Sequence, residues 1–369
     1  NVADIIFYKK RLYQSIINLK EELKEKQEVL DKVEKYLYAN CKHQWITDSI
    51  DSMKNYKLGQ MIQDDGPEHQ EKAHTPTMAG LWLVLVWQVS CIFWMKLNNP
   101  VFWILELVLL GYFVLGMVDD ISKIVHKDNN LGMSVKMKAL GQWVIAVLGV
   151  WLWMTYTPYD AMSVIKFPNI FSDQLISLDL GILYPLFAVL VIVGSANSVN
   201  LTDGLDGLVS IPIVCACLGL ISVIVCSDTV MSSGVLNNPQ LAEFMPQFIV
   251  YLSALIGVFL AFLWFNCHPA EVFLGDTGSM CVGAILGFIA LMLKVEIYYA
   301  IISGLFIAEA LSVIIQVGYY KLYKERVFLM APIHHHYEKK GWSEAKVVTR
   351  FWLISVICLL LGCMVILLS

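Results

Sequence analysis

Residues 100–120 read PVFWILELVLLGYFVLGMVDD. The apolar part, 100–118, has the length of a bilayer-crossing helix, and it ends on two adjacent carboxylates. One such run could be a buried helix of a soluble protein. Eight more decide otherwise, at 79–95, 139–157, 182–198, 207–226, 247–265, 279–295, 297–318 and 351–368. Over 369 residues the chain is 57% hydrophobic and only 15% charged, more apolar than a soluble chain of this length needs to be. The expected fold is all-α: a polytopic integral membrane bundle of about nine transmembrane helices.

Charge sets the expected orientation. With the N-terminus inside, segments 1–78, 119–138 and 319–350 hold 23 of the 26 Lys and Arg residues. Only Lys96, Lys166 and Lys294 fall on the other side, which is the positive-inside pattern. Residues 1–53 form a separate segment, charged and unable to span a membrane. Ile16, Leu19, Leu23, Leu30, Val33 and Leu37 follow heptad spacing, as in a cytoplasmic helix or short coiled coil. The membrane domain is then 54–369. Most of the nine cysteines sit in apolar runs and behave as small hydrophobes, so no disulfide framework is expected. No cleavable signal peptide is visible, because the first long apolar run begins near residue 79.

The conspicuous acids gather on the inner side. Asp119 and Asp120 close the run quoted above. Adjacent helical residues point about 100° apart, so one carboxylate can face a cleft while the other orients a neighbour. In NSVNLTDGLDGL, 197–208, Asp203 and Asp206 share a face if the stretch is helical. Asp276 lies in FLGDTGS, flanked by Gly275 and Gly278. A single acid at a membrane boundary is usually a solvated helix end. Several, joined by Asn and Gly, suit a hard divalent ion, and Mg²⁺ takes one or two carboxylates together with substrate phosphates. Lys123, Lys127, Lys136 and Lys138 lie on the same side, and so do His334, His335 and His336 of MAPIHHHYEKKGW, 330–342. The histidines could be plain surface polar residues or donors to a diphosphate. The shared compartment favours the donor role. Acids beside Lys and His point to phosphoryl transfer. Glu106 and Glu309 lie inside apolar runs with no partner evident in sequence, and they stay outside the expected site.

GQMIQDDGPEHQEKAHTPTMAG (59–80), GMVDD (116–120), NSVNLTDGLDGL (197–208), WFNCHPAEVFLGDTGS (264–279) and MAPIHHHYEKKGWSEAKVVTRFW (330–352) occur in the order found in one enzyme family. Over roughly residues 54–369 the chain resembles the phospho-N-acetylmuramoyl-pentapeptide transferases of the polyprenyl-phosphate N-acetylhexosamine-1-phosphate transferase superfamily. The resemblance implies transfer of phospho-MurNAc-pentapeptide from UDP-MurNAc-pentapeptide to undecaprenyl phosphate, giving lipid I and UMP. It further implies Mg²⁺ dependence, an active site at the cytoplasmic face of the bacterial inner membrane, a homodimer and no nucleic-acid partner. Carried over by position, Asp276 resembles the metal ligand, and Asp119 and Asp120 the pair near the lipid phosphate. Lys138 resembles the active-site lysine, with Lys123 near phosphate. Asn197, Asn200, Asp203 and Asp206 resemble the central polar motif near the nucleotide, and His334, His335 and His336 the histidine motif.

Four departures stand out. The family usually has ten spans, and here residues 1–53 take the place of the first. His74, Ala79 and Ala196 occupy positions where the family commonly has glycine. The nearest competing activity is transfer of GlcNAc-1-phosphate from UDP-GlcNAc, against which TPTM and APIHHHYEKKGW argue. A transporter would place its ionisable groups near the bilayer midplane, and an impaired scaffold would not need these polar motifs.

Overall fold

A computed structural model describes Lys24 and residues 76–126, 132–158, 162–167, 176–226 and 239–368. The segment 1–53, apart from Lys24, and His74 therefore lie outside the described residues. Within them are eleven α-helices: α1 Ala79–Trp94, α2 Pro100–His126, α3 Val135–Tyr156, α4 Tyr184–Thr202, α5 Ser210–Cys226, α6 Pro239–Asn266, α7 Gly275–Met292, α8 Glu296–Ile302, α9 Gly304–Tyr323, α10 Ile333–Lys339 and α11 Glu344–Leu368. Seven of these are long and apolar enough to cross a membrane, and α1 and α5 are shorter apolar helices. The nine expected runs thus all become helices.

One run differs from its expected form. Apolar character is continuous over 297–318, but the chain breaks at Ser303 into α8 and α9. The Ser303 backbone leaves helical geometry (φ −87°, ψ 19°), and its hydroxyl donates to the Tyr299 carbonyl at 2.5 Å. A Ser–Gly pair is a recognised site of helix bending. The structure also adds a small antiparallel hairpin, β1 Val164–Phe167 with β2 Ile176–Asp179, which the sequence reading did not anticipate. Lys294 joins the region before β1 to the bundle. Its ammonium donates to the Met162 carbonyl (2.9 Å) and to Glu296 (3.0 Å), and the residue is only 1% exposed. Lys294, expected on the sparsely basic side, is thus buried and paired.

The centre of the bundle is α7, buried at every residue from Thr277 to Met292. It packs between α2 and α4. Such closeness needs small residues, because in a membrane packing replaces hydrophobicity as the force between helices. At Gly116 of α2 an added Cβ would strike the backbone carbonyl of Asp276. The outer faces of the bundle carry large apolar side chains, among them Phe93, Trp94, Trp103, Trp264 and Ile314. On a soluble protein such a surface would aggregate; facing lipid tails it is at home. The ends of α2 and α4 and the starts of α3 and α7 meet at one end of the bundle, and there the acids collect.

Candidate active site

Asp119 and Asp120 are neighbours in the last turns of α2, and the helix sends them different ways. Asp120 turns to α7 and accepts the backbone N–H groups of Asp276 (3.2 Å) and Thr277 (2.9 Å) and the Thr277 hydroxyl (2.6 Å). The first amides of a helix have no partner within it, so Asp120 acts as a cap supplied by another helix. Gly275 makes this approach possible. Its φ is +75°, and a Cβ there would lie 2.7 Å from Asp120 Oδ2.

Asp119 faces the charged centre. Its Oδ1 accepts the Met133 N–H at 2.7 Å, which ties down the chain entering α3. Its Oδ2 lies 2.8 Å from Lys123 Nζ and 3.1 Å from Lys138 Nζ. The same two ammonium groups reach Asp276 Oδ2, at 2.8 Å from Lys123 and 2.6 Å from Lys138. Two carboxylates and two lysines from three helices thus share one small polar space. Asn200 completes the support of Asp276, donating to its Oδ1 at 2.5 Å and to Ser279 Oγ at 2.8 Å. Carboxylate oxygens of Asp119, Asp120 and Asp276 all lie within 4.8 Å of one another, a spacing that one metal ion can bridge.

Asp203 stands next to this centre, at the end of α4. Enclosure of its carboxyl, then the nearby charges of Asp276 and Asp120, hold it well above the usual carboxylate range, although part of the residue reaches the surface. Asp206 belongs to a second cluster. Its Oδ2 takes the Ala270 N–H and His268 Nδ1, both at 3.1 Å, and its own N–H donates to Glu344 at 2.9 Å. Asp206, His268 and Glu344 also sit within 4.8 Å of one another. The Gly207 N–H donates to Asn266 (2.9 Å), so the central motif is tied to the segment leading into α7 and to α11. Asn197 lies about one turn before Asn200 on α4. It exchanges side-chain hydrogen bonds with Gln142 of α3 (2.9 and 3.2 Å), joining α3 to α4.

The three histidines have three environments. His334 is fully buried, with Nδ1 3.1 Å from Glu309 Oε1. An added Cβ on Gly204 would strike His334 Nε2, so this imidazole abuts the central motif beside Asp203. His335 pairs with Glu338 at 2.6 Å, and burial holds its imidazole below the usual histidine range despite that partner. His336 accepts the Leu329 N–H at 3.1 Å, and burial and then Lys340 lower it too. Sequence reasoning did not find Thr277, Ser279, His268, Glu344 or Glu309 as neighbours of the site. FLGDTGS contains two of them, and their hydroxyl groups beside Asp276 were the available signal.

Comparison with known proteins adds three findings. The profile of glycosyl transferase family 4 matches residues 102–294. The phospho-N-acetylmuramoyl-pentapeptide-transferase of Ruegeria pomeroyi is 49% identical over 310 residues, 82% of this chain and 83% of the relative. The protein of the same name from Desulfotalea psychrophila is 43% identical over 310 residues, covering 84% of each chain.

Proposed function

Because the chain belongs to the phospho-N-acetylmuramoyl-pentapeptide transferases of glycosyl transferase family 4, we propose that the Asp119–Lys123–Lys138–Asp276 centre carries out its phosphoryl transfer. The protein is a membrane transferase of peptidoglycan synthesis. It moves phospho-MurNAc-pentapeptide from UDP-MurNAc-pentapeptide to a polyprenyl phosphate, which we take to be undecaprenyl phosphate. The GlcNAc-1-phosphate alternative gives way to the names of the relatives. The expected bias of 23 of the 26 Lys and Arg residues toward one side supports placing the site at the cytoplasmic face of the bacterial inner membrane. A homodimer is part of the same reading and rests on the family alone.

The donor set fits Mg²⁺, since carboxylate oxygens from three aspartates cluster where phosphates would also be held by lysine. Asp276 would hold the ion with Asp119 beside it, and the bound ion would neutralise diphosphate charge. The chain's own residues do the rest. Lys123 and Lys138, already poised between the two carboxylates, neutralise the phosphate oxygens. Asn200 and Asp120 keep Asp276 in place, one through its side chain and the other through the start of α7. Asp203, Asp206 and Asn197 serve the nucleotide side, and His334, His335 and His336 the diphosphate and peptide-sugar side.

The chemistry needs little base. The second pKa of a phosphate monoester is about 6, so the lipid phosphate is largely dianionic at neutral pH. One of its oxygens attacks the sugar-proximal phosphorus, forming a new P–O bond as the bond to the bridging oxygen breaks and UMP departs. Positioning and charge neutralisation supply the catalysis. The observation that carries this reading is the pair of lysines shared by Asp119 and Asp276. Offering the purified chain UDP-MurNAc-pentapeptide or UDP-GlcNAc with undecaprenyl phosphate tests it. UMP release with the first sugar alone is expected, and preference for UDP-GlcNAc would overturn it.

A further inference from the structure

Glu309 lies in α9, an apolar membrane helix, and is fully buried. A carboxylate there is costly unless it is paired. Its close partner is His334 Nδ1 at 3.1 Å, on a residue that is itself fully buried. The contact is not aligned as a hydrogen bond. Both Glu309 oxygens and both His334 nitrogens lack a hydrogen-bond partner among the described residues. Four buried polar atoms left this way call for an explanation beyond packing. Apolar contacts do seat the surrounding segment: Ile333, Tyr337 and Trp342 pack on Leu205, Leu208, Leu305, Val347 and Phe351. With Ile333 and Tyr337 docked, the three histidines leave α10 in set directions about 100° apart, but the torsion angles of the His334 ring are not set by those contacts. His334 faces Gly204, the one residue type that admits its ring there, and Gly204 follows Asp203, which faces the charged centre.

We propose that Glu309 is a positioning residue for the transfer reaction: its buried carboxylate holds His334 against Gly204 and thereby aims the histidine segment at the charged centre. The proposal rests on the transferase reading above. Glu309 touches neither substrate nor reacting atoms; it acts through His334. Removing its polar head leaves α10 docked by its apolar contacts but frees the His334 ring to turn away from Gly204.

The test uses the full chain in detergent, with Glu309→Gln and Glu309→Leu. Four quantities are read: kcat and KM for the nucleotide sugar, the unfolding midpoint, and carbethoxylation of each histidine by diethyl pyrocarbonate, mapped by mass spectrometry without substrate. His334 is expected to be protected in the parent chain and modified in Glu309→Leu. A displaced active-site group costs up to about a hundredfold, so Glu309→Leu should lower kcat by about ten- to a hundredfold with little change in KM. Glu309→Gln, of the same shape, should restore much of both protection and kcat. Should Glu309→Leu lose its fold, Glu309→Gln decides: His334 protection and kcat retained together support the proposal, and kcat lost while His334 stays protected overturns it. A Glu309→Leu chain with parental kcat, or one that loses kcat while His334 stays protected, overturns it. The modification pattern needs no turnover, so failure of the transferase reading would show separately, as absence of UMP release by the parent chain.

Discussion

Asp120 accepts both the N–H and the hydroxyl of Thr277, at 2.9 and 2.6 Å, although the two residues are 157 positions apart. The consequence is a division of labour within an adjacent pair. Asp120 fixes the start of α7, and Asp119 faces the two lysines. Asp120→Ala leaves those α7 donors buried and unpaired, which should cost about 1–3 kcal/mol and lower the unfolding midpoint. Asp119→Asn should spare the midpoint and lower kcat by about two orders of magnitude or more, the scale of losing one electrostatic partner of the transition state. Thermal unfolding and steady-state UMP release on both variants check the split. Equal effects on stability would remove it.

Lys138 touches Asp119 and Asp276 alike, and its role is to meet phosphate charge. Lys138→Gln should reduce kcat strongly while the chain stays folded, and Lys138→Arg should recover only part, because a planar guanidinium does not replace a point charge. Single-turnover transfer by each variant measures this. Full activity in Lys138→Gln would exclude the lysine from the reaction.

Asp203 provides the pH dependence. Its carboxyl in the folded chain titrates well above the usual range, while in the unfolded chain it titrates near about 4. Above that lower value the unfolded chain has released a proton that the folded chain still holds. Stability therefore falls as pH rises from there toward the raised value. In Asp203→Asn this loss is absent. Unfolding midpoints in chelator at pH 5 and pH 8 should drop more for the parent chain than for the variant. Parallel drops would contradict the raised titration.

Gly275 combines a left-handed backbone with a Cβ position 2.7 Å from Asp120. Gly275→Ala should cost about 1–2 kcal/mol from backbone strain alone and also disturb the Asp120 cap. Lower stability together with lower kcat is expected, read by the same two assays. A neutral substitution would show that the LGD turn tolerates displacement.

Much of this was legible in the sequence because membrane spans announce themselves by length and composition. All nine apolar runs became helices, and Asp119, Asp276, Lys123, Lys138 and Asn200 came together as their shared compartment implied. The different headings of Asp119 and Asp120 follow from helix geometry, but which one faced the cleft required seeing α7. Apolarity reads the same through a kinked run as through a straight one, so the break at Ser303 was invisible. The β1–β2 hairpin was missed among longer signals. Glu309 looked partnerless because His334 lies in another helix, 25 positions on. The amide pair between Asn197 and Gln142 joins residues 55 positions apart, which sequence does not show.

The central claim concerns which cluster of acids holds the divalent ion. Among the described residues two have suitable spacing, Asp119–Asp120–Asp276 and Asp206–His268–Glu344. Anomalous scattering from crystals soaked in Mn²⁺ locates the ion directly. The account predicts a peak against the Asp276 carboxylate that disappears in Asp276→Asn. A peak at Asp206, His268 and Glu344 that survives Asp276→Asn would contradict it.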